Sequence, residues 1–325
     1  MKVLVCGGAG YIGSVTSRLL SEAGHEVLVF DNLSYGHRSA VAPPARLVVG
    51  DLGDGALIER VVAEFRPDCV MHFAALIQVG ESVLRPDIYF HNNVACGINL
   101  LNACGRNGVR RFVFSSTAAV YGTPAEIPVT EDAPLRPANP YGSTKAVFEG
   151  LLADYSRYYG LRYAALRYFN VAGAYGNLGE DHRPESHLIP RILRSVLHQG
   201  ERFQIYGDDY ETRDGTCIRD YVHVYDLAQA HILAMEALKE RNLVYNLGSE
   251  NGWTVREVFA TCERVVGQRI AYEVTARRQG DVPVLVASSE RIRRELGWRP
   301  VRSDLPQMIG DAWEWHKAHP QGYED

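Results

Sequence analysis

Lys2-Val3-Leu4-Val5-Cys6-Gly7-Gly8-Ala9-Gly10-Tyr11-Ile12-Gly13 is the stretch that decides the fold. A short apolar run ending on glycines reads as a buried strand, and a helical pattern over Ile12–Glu22 follows it directly. The glycines at 7, 10 and 13 keep a G-x-x-G-x-x-G spacing. Such glycines permit a tight turn, let a pyrophosphate approach backbone N–H groups, and allow close contact between strand and helix. A glycine triplet alone is a weak signal, because glycine-rich turns are common. Its place between a strand and a helix is what gives it meaning.

The alternation continues along the chain. Apolar runs at Glu26–Asp31, Arg46–Asp51, Cys69–Ala75, Arg111–Thr117 and Tyr163–Asn170 predict strands. Helical patterns lie between them at Ala56–Phe65, Ile88–Asn107 and Gly142–Tyr159, and Gly24, Gly108 and Gly160 stand where helices end. This predicts an α/β protein: a Rossmann-type doubly wound parallel sheet with helices on both faces. Beyond Asn170 the texture changes, with a Gly-, Pro- and charge-rich loop over 172–187 and then short mixed elements. The expected division is a cofactor-binding domain over 1–170 and a smaller mixed α/β substrate-binding lobe over 171–325. A segment around 216–240 is expected to return to the first domain, with a helix at Tyr225–Lys239.

At 325 residues the chain suits two packed lobes. A net charge of −5 offers no basic footprint, which argues against a nucleic-acid partner. Apolar stretches such as Cys69–Val79 are too short to span a bilayer and carry His72 and Gln78. Met1–Gly10 lacks the apolar length and cleavage site of a signal peptide, so a cytoplasmic location is expected. Cys6, Cys69, Cys96, Cys104, Cys217 and Cys262 lie in apolar segments without a C-x-x-C pair and read as small core residues. The histidines show no ligand spacing; His316 and His319 read as a solvated helix end before Pro320, and no metal is expected.

The second predicted strand ends at Asp31, eighteen residues after Gly13. A carboxylate there either accepts from an adenosine ribose, which favours NAD over NADP, or caps a turn with Asn32. At the end of the third strand Asp51 can hold an adenine amino group with Leu52 packed on the ring, or can simply end the strand. Tyr141 and Lys145 form a Tyr-x-x-x-Lys pair just after Pro140, and a spacing of four puts both on one helical face. A tyrosine with a pKa of about 10 is a poor base at neutral pH. A neighbouring ammonium and a cationic nicotinamide ring would lower that value. Ser115-Ser116-Thr117 end the preceding strand, at the carboxyl edge where parallel sheets bind ligands. Thr117 can then bridge a substrate hydroxyl and Tyr141; the alternative is a strand-end turn.

Together these motifs resemble the extended short-chain dehydrogenase/reductase family, and within it the UDP-galactose 4-epimerases. The likeness spans nearly the whole chain. It runs through Gly7–Ser14, Asp31-Asn32-Leu33, His72-Phe73-Ala74-Ala75, Val79-Gly80-Glu81-Ser82, Asn92-Asn93-Val94, Phe114–Gly122, Tyr141–Lys145 and Arg167-Tyr168-Phe169-Asn170. It continues in Asp214-Gly215-Thr216, Arg219-Asp220-Tyr221-Val222-His223-Val224, Asn246-Leu247-Gly248 and the tail His319–Tyr323. The Asp-Gly-Thr and Arg-Asp-Tyr blocks are the specific ones. The resemblance implies Thr117 as the family hydroxyl, Tyr141 as the base and Lys145 as the grip on the nicotinamide ribose. It adds Phe73, Ala74, Ala75, Asn92 and Tyr168 to the NAD contacts read at Gly7, Gly10, Tyr11, Ile12, Gly13, Asp31, Asn32, Asp51, Leu52 and Ser115. It places Asn170, His187, Leu188, Tyr206, Arg219, Arg278 and Asp281 around the UDP moiety. Guanidinium forks at Arg219 and Arg278 suit a diphosphate, and Asp281 can accept from the uridine ribose. Without the resemblance, Arg277 and Arg278 read as a solvated charge run. Two departures stand out: Ile77 replaces a lysine that many epimerases set on the NAD phosphates, and His187 replaces an asparagine on the uridine side.

The implied reaction inverts C4 of a UDP-linked hexose, interconverting UDP-glucose and UDP-galactose. Tyr141 takes the C4 hydroxyl proton as NAD accepts hydride, and reduction of the turned 4-keto sugar from the other face completes the cycle. A 4,6-dehydratase on the same fold needs an acidic pair after the Ser/Thr, where this chain has Ala118-Ala119. A 4-epimerase for an N-acetylhexosamine or glucuronate nucleotide stays open as the alternative. Leu285, intermediate in bulk at a family position that limits N-acetyl access, leans toward some acceptance. A non-catalytic NAD-sensing scaffold would have no reason to keep Tyr141, Lys145 and Thr117 together. Val147, Phe148, Leu151, Leu152, Tyr155, Tyr158 and Tyr159 span an apolar arc of roughly 140°, wider than one sheet contact needs, so a homodimer through this helix is expected.

Overall fold

The computed structural model describes residues 1–198, 203–239, 241–278 and 281–325. In chain order the strands are β1 (Lys2–Cys6), β2 (Glu26–Asp31), β3 (Arg46–Val49), β4 (Cys69–His72), β5 (Arg111–Thr117), β6 (Arg162–Tyr168), β7 (Asn170–Ala172), β8 (Phe203–Tyr206), β9 (Ile218–His223), β10 (Leu243–Leu247), β11 (Gly252–Thr254), β12 (Tyr272–Thr275) and β13 (Val284–Leu285). The helices are α1 (Tyr11–Glu22), α2 (Gly55–Phe65), α3 (Val79–Leu84), α4 (Pro86–Phe90), α5 (Gly97–Arg106), α6 (Pro140–Tyr159), α7 (Leu188–Leu197), α8 (Val224–Ala237), α9 (Val255–Val266), α10 (Glu290–Leu296) and α11 (Leu305–Ala318).

Seven strands form one all-parallel sheet in the order β10-β6-β5-β4-β1-β2-β3. The order reverses between β1 and β4, and a crevice opens at their carboxyl ends. Each face is covered. Val15 and Leu19 of α1 pack with Leu227 and Met235 of α8 on one side. Ile58 and Val62 of α2, Leu100 of α5, and Phe148 and Leu152 of α6 pack on the other. Burying each such side chain is worth about 1.5–3 kcal/mol, so the helices lock onto the sheet through these stripes. The helix ends follow local chemistry: Asn139 caps α6 by accepting from the Gly142 N–H at 2.8 Å, and Gly160 ends it at φ 69°.

A smaller lobe joins β9 to β7, β11 and β13, pairs β8 with β12, and packs α7, α9 and α11 around a third core containing Ile192, Val258 and Ile309. The chain does not divide at one point. After β7 and β9 it re-enters the large sheet through α8, which lies beside α1, and through β10 beside β6.

Several boundaries differ from expectation. The third strand stops at Val49 and the fourth at His72, leaving Asp51, Leu52 and Phe73–Ala75 in the loops at the sheet edge. The strand expected over Tyr163–Asn170 breaks at Phe169, because Asn170 already pairs with Tyr221 in the smaller sheet. The single helix expected over Ile88–Asn107 contains a π-helical turn, His91–Cys96, between α4 and α5. The C-terminal end of α11 is not the solvated end expected: His316 is buried, and burial pulls its pKa down to about 4. His319 stacks on Trp315 with ring centroids 4.7 Å apart.

Candidate active site

The glycine loop sits at the switch point, and its three glycines are required for three different reasons. A Cβ on Gly7, which has φ +81°, would lie 2.4 Å from the Ala74 nitrogen. A Cβ on Gly13 would lie 2.1 Å from the Gly7 carbonyl oxygen. At Gly10 a Cβ would meet only that same oxygen at 3.5 Å, so its outer side is open, as close approach of a diphosphate demands. Phe73 and Ala74 are tied to this loop by their N–H groups, which donate to the Cys6 carbonyl at 2.8 and 3.0 Å. Tyr11 is buried and its hydroxyl donates to the Gly173 carbonyl at 2.6 Å, which leaves its backbone but not its ring for a cofactor. Ile12 is half-buried beside it.

Asp31 caps its turn, one of its two expected roles, and also braces the glycine loop. Its carboxylate accepts from the Leu33 N–H at 2.9 Å, capping the turn, and from the Ala9 N–H at 3.0 Å, bracing the glycine loop. Burial raises its pKa against those two hydrogen bonds. The exposed Asn32 donates to Asp51 at 2.7 Å, so the ends of β2 and β3 are linked through side chains with Leu52 buried beneath.

At the carboxyl end of β5, Ser115 and Thr117 are half-buried and Ser116 is buried. Thr117 stands against the Tyr141 hydroxyl and also accepts from the Ala119 N–H at 3.2 Å. Lys145 donates to the Ser115 carbonyl at 2.8 Å, and its ammonium lies 6.0 Å from the centre of the Tyr141 ring. The chain's own groups do not lower the Tyr141 pKa: burial pushes it up to about 12, with only the Thr117 hydroxyl opposing. Burial likewise pulls Lys145 down to about 7, against the upward pull of Glu149.

Across the crevice, four of the substrate-side residues come together. Arg219 lies 3.7 Å from Asp281, and Arg278 donates to Asp281 at 3.3 and 3.4 Å while lying over the Tyr206 ring at 5.3 Å. Arg277 is exposed as expected but not merely solvated, since it pairs with Asp209 and lies 4.2 Å over Tyr210. Asn170 donates to the Asp220 carbonyl at 3.0 Å. Leu285, on β13, is half-buried and paired in register with Arg219. His187, expected on the uridine side, has its Nδ1 held by Glu180 at 2.8 Å and Glu185 at 3.0 Å, directly before Leu188 starts α7.

A profile described as the NAD dependent epimerase/dehydratase family matches residues 3–248. The chain belongs to this family. It is 49% identical over 329 residues to the UDP-glucose 4-epimerase of Lactobacillus helveticus, across 100% of both chains. Its fold is similar to that of a UDP-glucose 4-epimerase from Brucella ovis solved in complex with NAD, with a TM-score of 0.93 and 47% identity over 96% of this chain and 97% of that one. It is also similar to the Bifidobacterium longum UDP-glucose 4-epimerase solved with NAD+ and UDP, with a TM-score of 0.95 and 37% identity over 99% and 100% of the two chains.

In this member of the epimerase/dehydratase family, several residues that the sequence marked only through the family resemblance, or not at all, shape the site by tertiary contacts. Asn93 is buried, accepts from the Leu76 N–H at 2.8 Å and donates to the Thr144 hydroxyl at 3.2 Å, so it ties the loop after β4 to α6. Asn92 only donates to Asn93, at 2.9 Å. The buried Tyr168 hydroxyl donates to His231 Nε2, and the other ring nitrogen donates to the Leu227 carbonyl at 2.9 Å. Burial holds His231 neutral, with its pKa down at about 4, which fixes that tautomer. Asp220 accepts from the N–H groups of Ser249, Glu250 and Ala287 at 2.8 to 3.1 Å. The Arg-Asp-Tyr block thus puts a brace directly beside Arg219.

Proposed function

We propose that the chain interconverts UDP-glucose and UDP-galactose by inverting the C4 hydroxyl, with NAD as resident cofactor. The observation that carries this reading is the convergence of Thr117, Tyr141 and Lys145 at the carboxyl end of β5, in a chain that also gathers Arg219, Arg278 and Asp281. The activities of the relatives, close in identity and complete in coverage, support it. The residues also fit the cofactor: the glycine loop is tight at Gly7 and Gly13 and open at Gly10, and Asp31 closes the end of β2 with a carboxylate. NAD, when bound, supplies the hydride acceptor and a cationic ring near Tyr141.

The chain's own residues do the remaining work. Residues 1–170, with the returning 216–240 segment, hold the dinucleotide, and 171–325 hold the nucleotide sugar. Lys145, fixed by the Ser115 carbonyl, anchors the nicotinamide ribose and places positive charge near the phenol. Thr117 orients the C4 hydroxyl, and Tyr141 accepts its proton and later returns it. Arg219 and Arg278 fix the diphosphate while Asp281 faces the uridine ribose. Tight hold of UDP and loose hold of the hexose let the ketone present either face. Ala118 and Ala119 supply no acid or base for a dehydration.

Two further readings belong to the same proposal. Six unpaired, buried cysteines suit a reducing cytoplasm, and no helix among the described residues is long and apolar enough to cross a membrane. Val147, Tyr158 and Tyr159 are exposed on α6, which suits a homodimer built on that helix. Incubation with UDP-galactose followed by chromatographic separation of the two nucleotide sugars tests the activity. Accumulation of UDP-glucose is expected, and its absence with NAD bound would overturn the reading.

A further inference from the structure

Outside the proposed reaction centre, the loop before α7 gathers Glu180, His182, Glu185 and His187, each with a ligand atom within 4.8 Å of the others. Glu180 Oε1 lies 3.2 Å from His182 Nδ1 and 2.8 Å from His187 Nδ1. Glu185 places Oε1 3.0 Å from His187 Nδ1 and Oε2 3.6 Å from His182 Nδ1. The side chains of Glu180 and Glu185 are only 7% and 5% exposed. Within this knot two buried atoms, His182 Nδ1 and Glu185 Oε2, have no hydrogen-bond partner. A buried polar atom left without a hydrogen bond costs about 1–3 kcal/mol, and a bound ion is one means by which a native fold satisfies it.

We propose that Glu180, His182, Glu185 and His187 form a structural divalent-cation site of the zinc class. Two imidazole nitrogens and two carboxylate oxygens are a four-donor set that suits Zn2+, whereas Mg2+ and Ca2+ prefer six or more oxygens. Zinc bonds of about 2.0–2.2 Å in a tetrahedron put donors about 3.3–3.5 Å apart. Four His–Glu separations, 2.8 to 3.6 Å, bracket this value, and one ligand atom from each of the four residues lies within 4.8 Å of the others. Because His187 is the residue that precedes α7, the ion would pin the loop to the helix whose first residue, Leu188, faces the expected uridine site.

The test uses the full-length, chelator-treated protein. Zn2+ titrated calorimetrically should bind at one equivalent, Co2+ should give the intense visible absorption of a four-coordinate ion, and Mg2+ should give neither. His182→Asn and Glu185→Gln, each checked for a native circular dichroism spectrum, should weaken Zn2+ binding by tenfold or more. Absence of Zn2+ binding by the unmodified chain overturns the site. So does unchanged affinity in both variants, which would put the metal on other histidines. If a variant misfolds, the Co2+ spectrum of the unmodified chain decides alone: a weak, six-coordinate band sinks the proposal.

Discussion

Tyr141 sits among groups that pull its proton in opposite directions. Burial raises its pKa to about 12, and the Thr117 hydrogen bond is the opposing effect within the chain. A phenol this reluctant to ionise becomes a base only when positive charge is brought close. Tyr141→Phe, which deletes only the oxygen, should therefore lower turnover by about 10²-fold or more while NAD stays bound. Activity within tenfold of the unmodified chain would remove Tyr141 from the role of base. Asp31 is the second informative residue, because its carboxylate braces the glycine loop as well as capping its own turn. Asp31→Ala should weaken NAD and reduce the bias against NADP in a binding titration. An unchanged preference between the two would leave Asp31 as a brace alone.

Helix α6 carries Tyr141 and Lys145, and its position on the sheet is set by a buried ion pair rather than by its apolar stripe alone. Arg167 of β6 donates to both oxygens of Glu149, at 3.0 and 2.6 Å, and Ser116 donates to the same carboxylate at 2.5 Å. The remaining guanidinium nitrogen donates to the Tyr121 hydroxyl at 2.8 Å and the Glu131 carbonyl at 3.1 Å. Removing one partner leaves an uncompensated buried charge, which costs about 3–5 kcal/mol. Glu149→Ala should lose stability on that scale in chemical denaturation. A loss under about 1 kcal/mol would mean that water or a neighbour takes over the guanidinium.

For the molecule as a whole, the open question is what covers the outer face of α6. Phe148 and Leu152 of its apolar arc are fully buried within the subunit, while Val147, Tyr158 and Tyr159 are 45%, 72% and 59% exposed. Tyr155 is half-buried and its hydroxyl donates to Asn102 of α5 at 2.7 Å, so α5 and α6 share one continuous outer surface. A dimer in which two such helix pairs meet would cover the exposed tyrosines. Light scattering at micromolar concentration should give twice the chain's 36.2 kDa, and a monomeric mass would end this expectation.

Local chemistry was enough to determine much of this protein. Hydrophobic periodicity laid out the sheet, because its central strands, such as β1 and β4, are buried on both faces and must be apolar along their length. The glycine spacing marked the cofactor loop, where backbone approaches Gly7 and Gly13 too closely for a side chain. A four-residue helical repeat placed Tyr141 beside Lys145 before any coordinates were needed. What the tertiary structure decided are the relations between segments far apart in the chain. It ended β6 at Tyr168, because Asn170 finds its partner fifty-one residues later, in Tyr221. It gave His231 to Tyr168, Glu149 to Arg167 and Glu131, by its backbone carbonyl, to the same arginine, none of which a local pattern encodes. It turned His316 inward. The four residues around His182 show the same division. In sequence they fall in a Gly-, Pro- and charge-rich loop, and only the fold brings a ligand atom of each within 4.8 Å of the others.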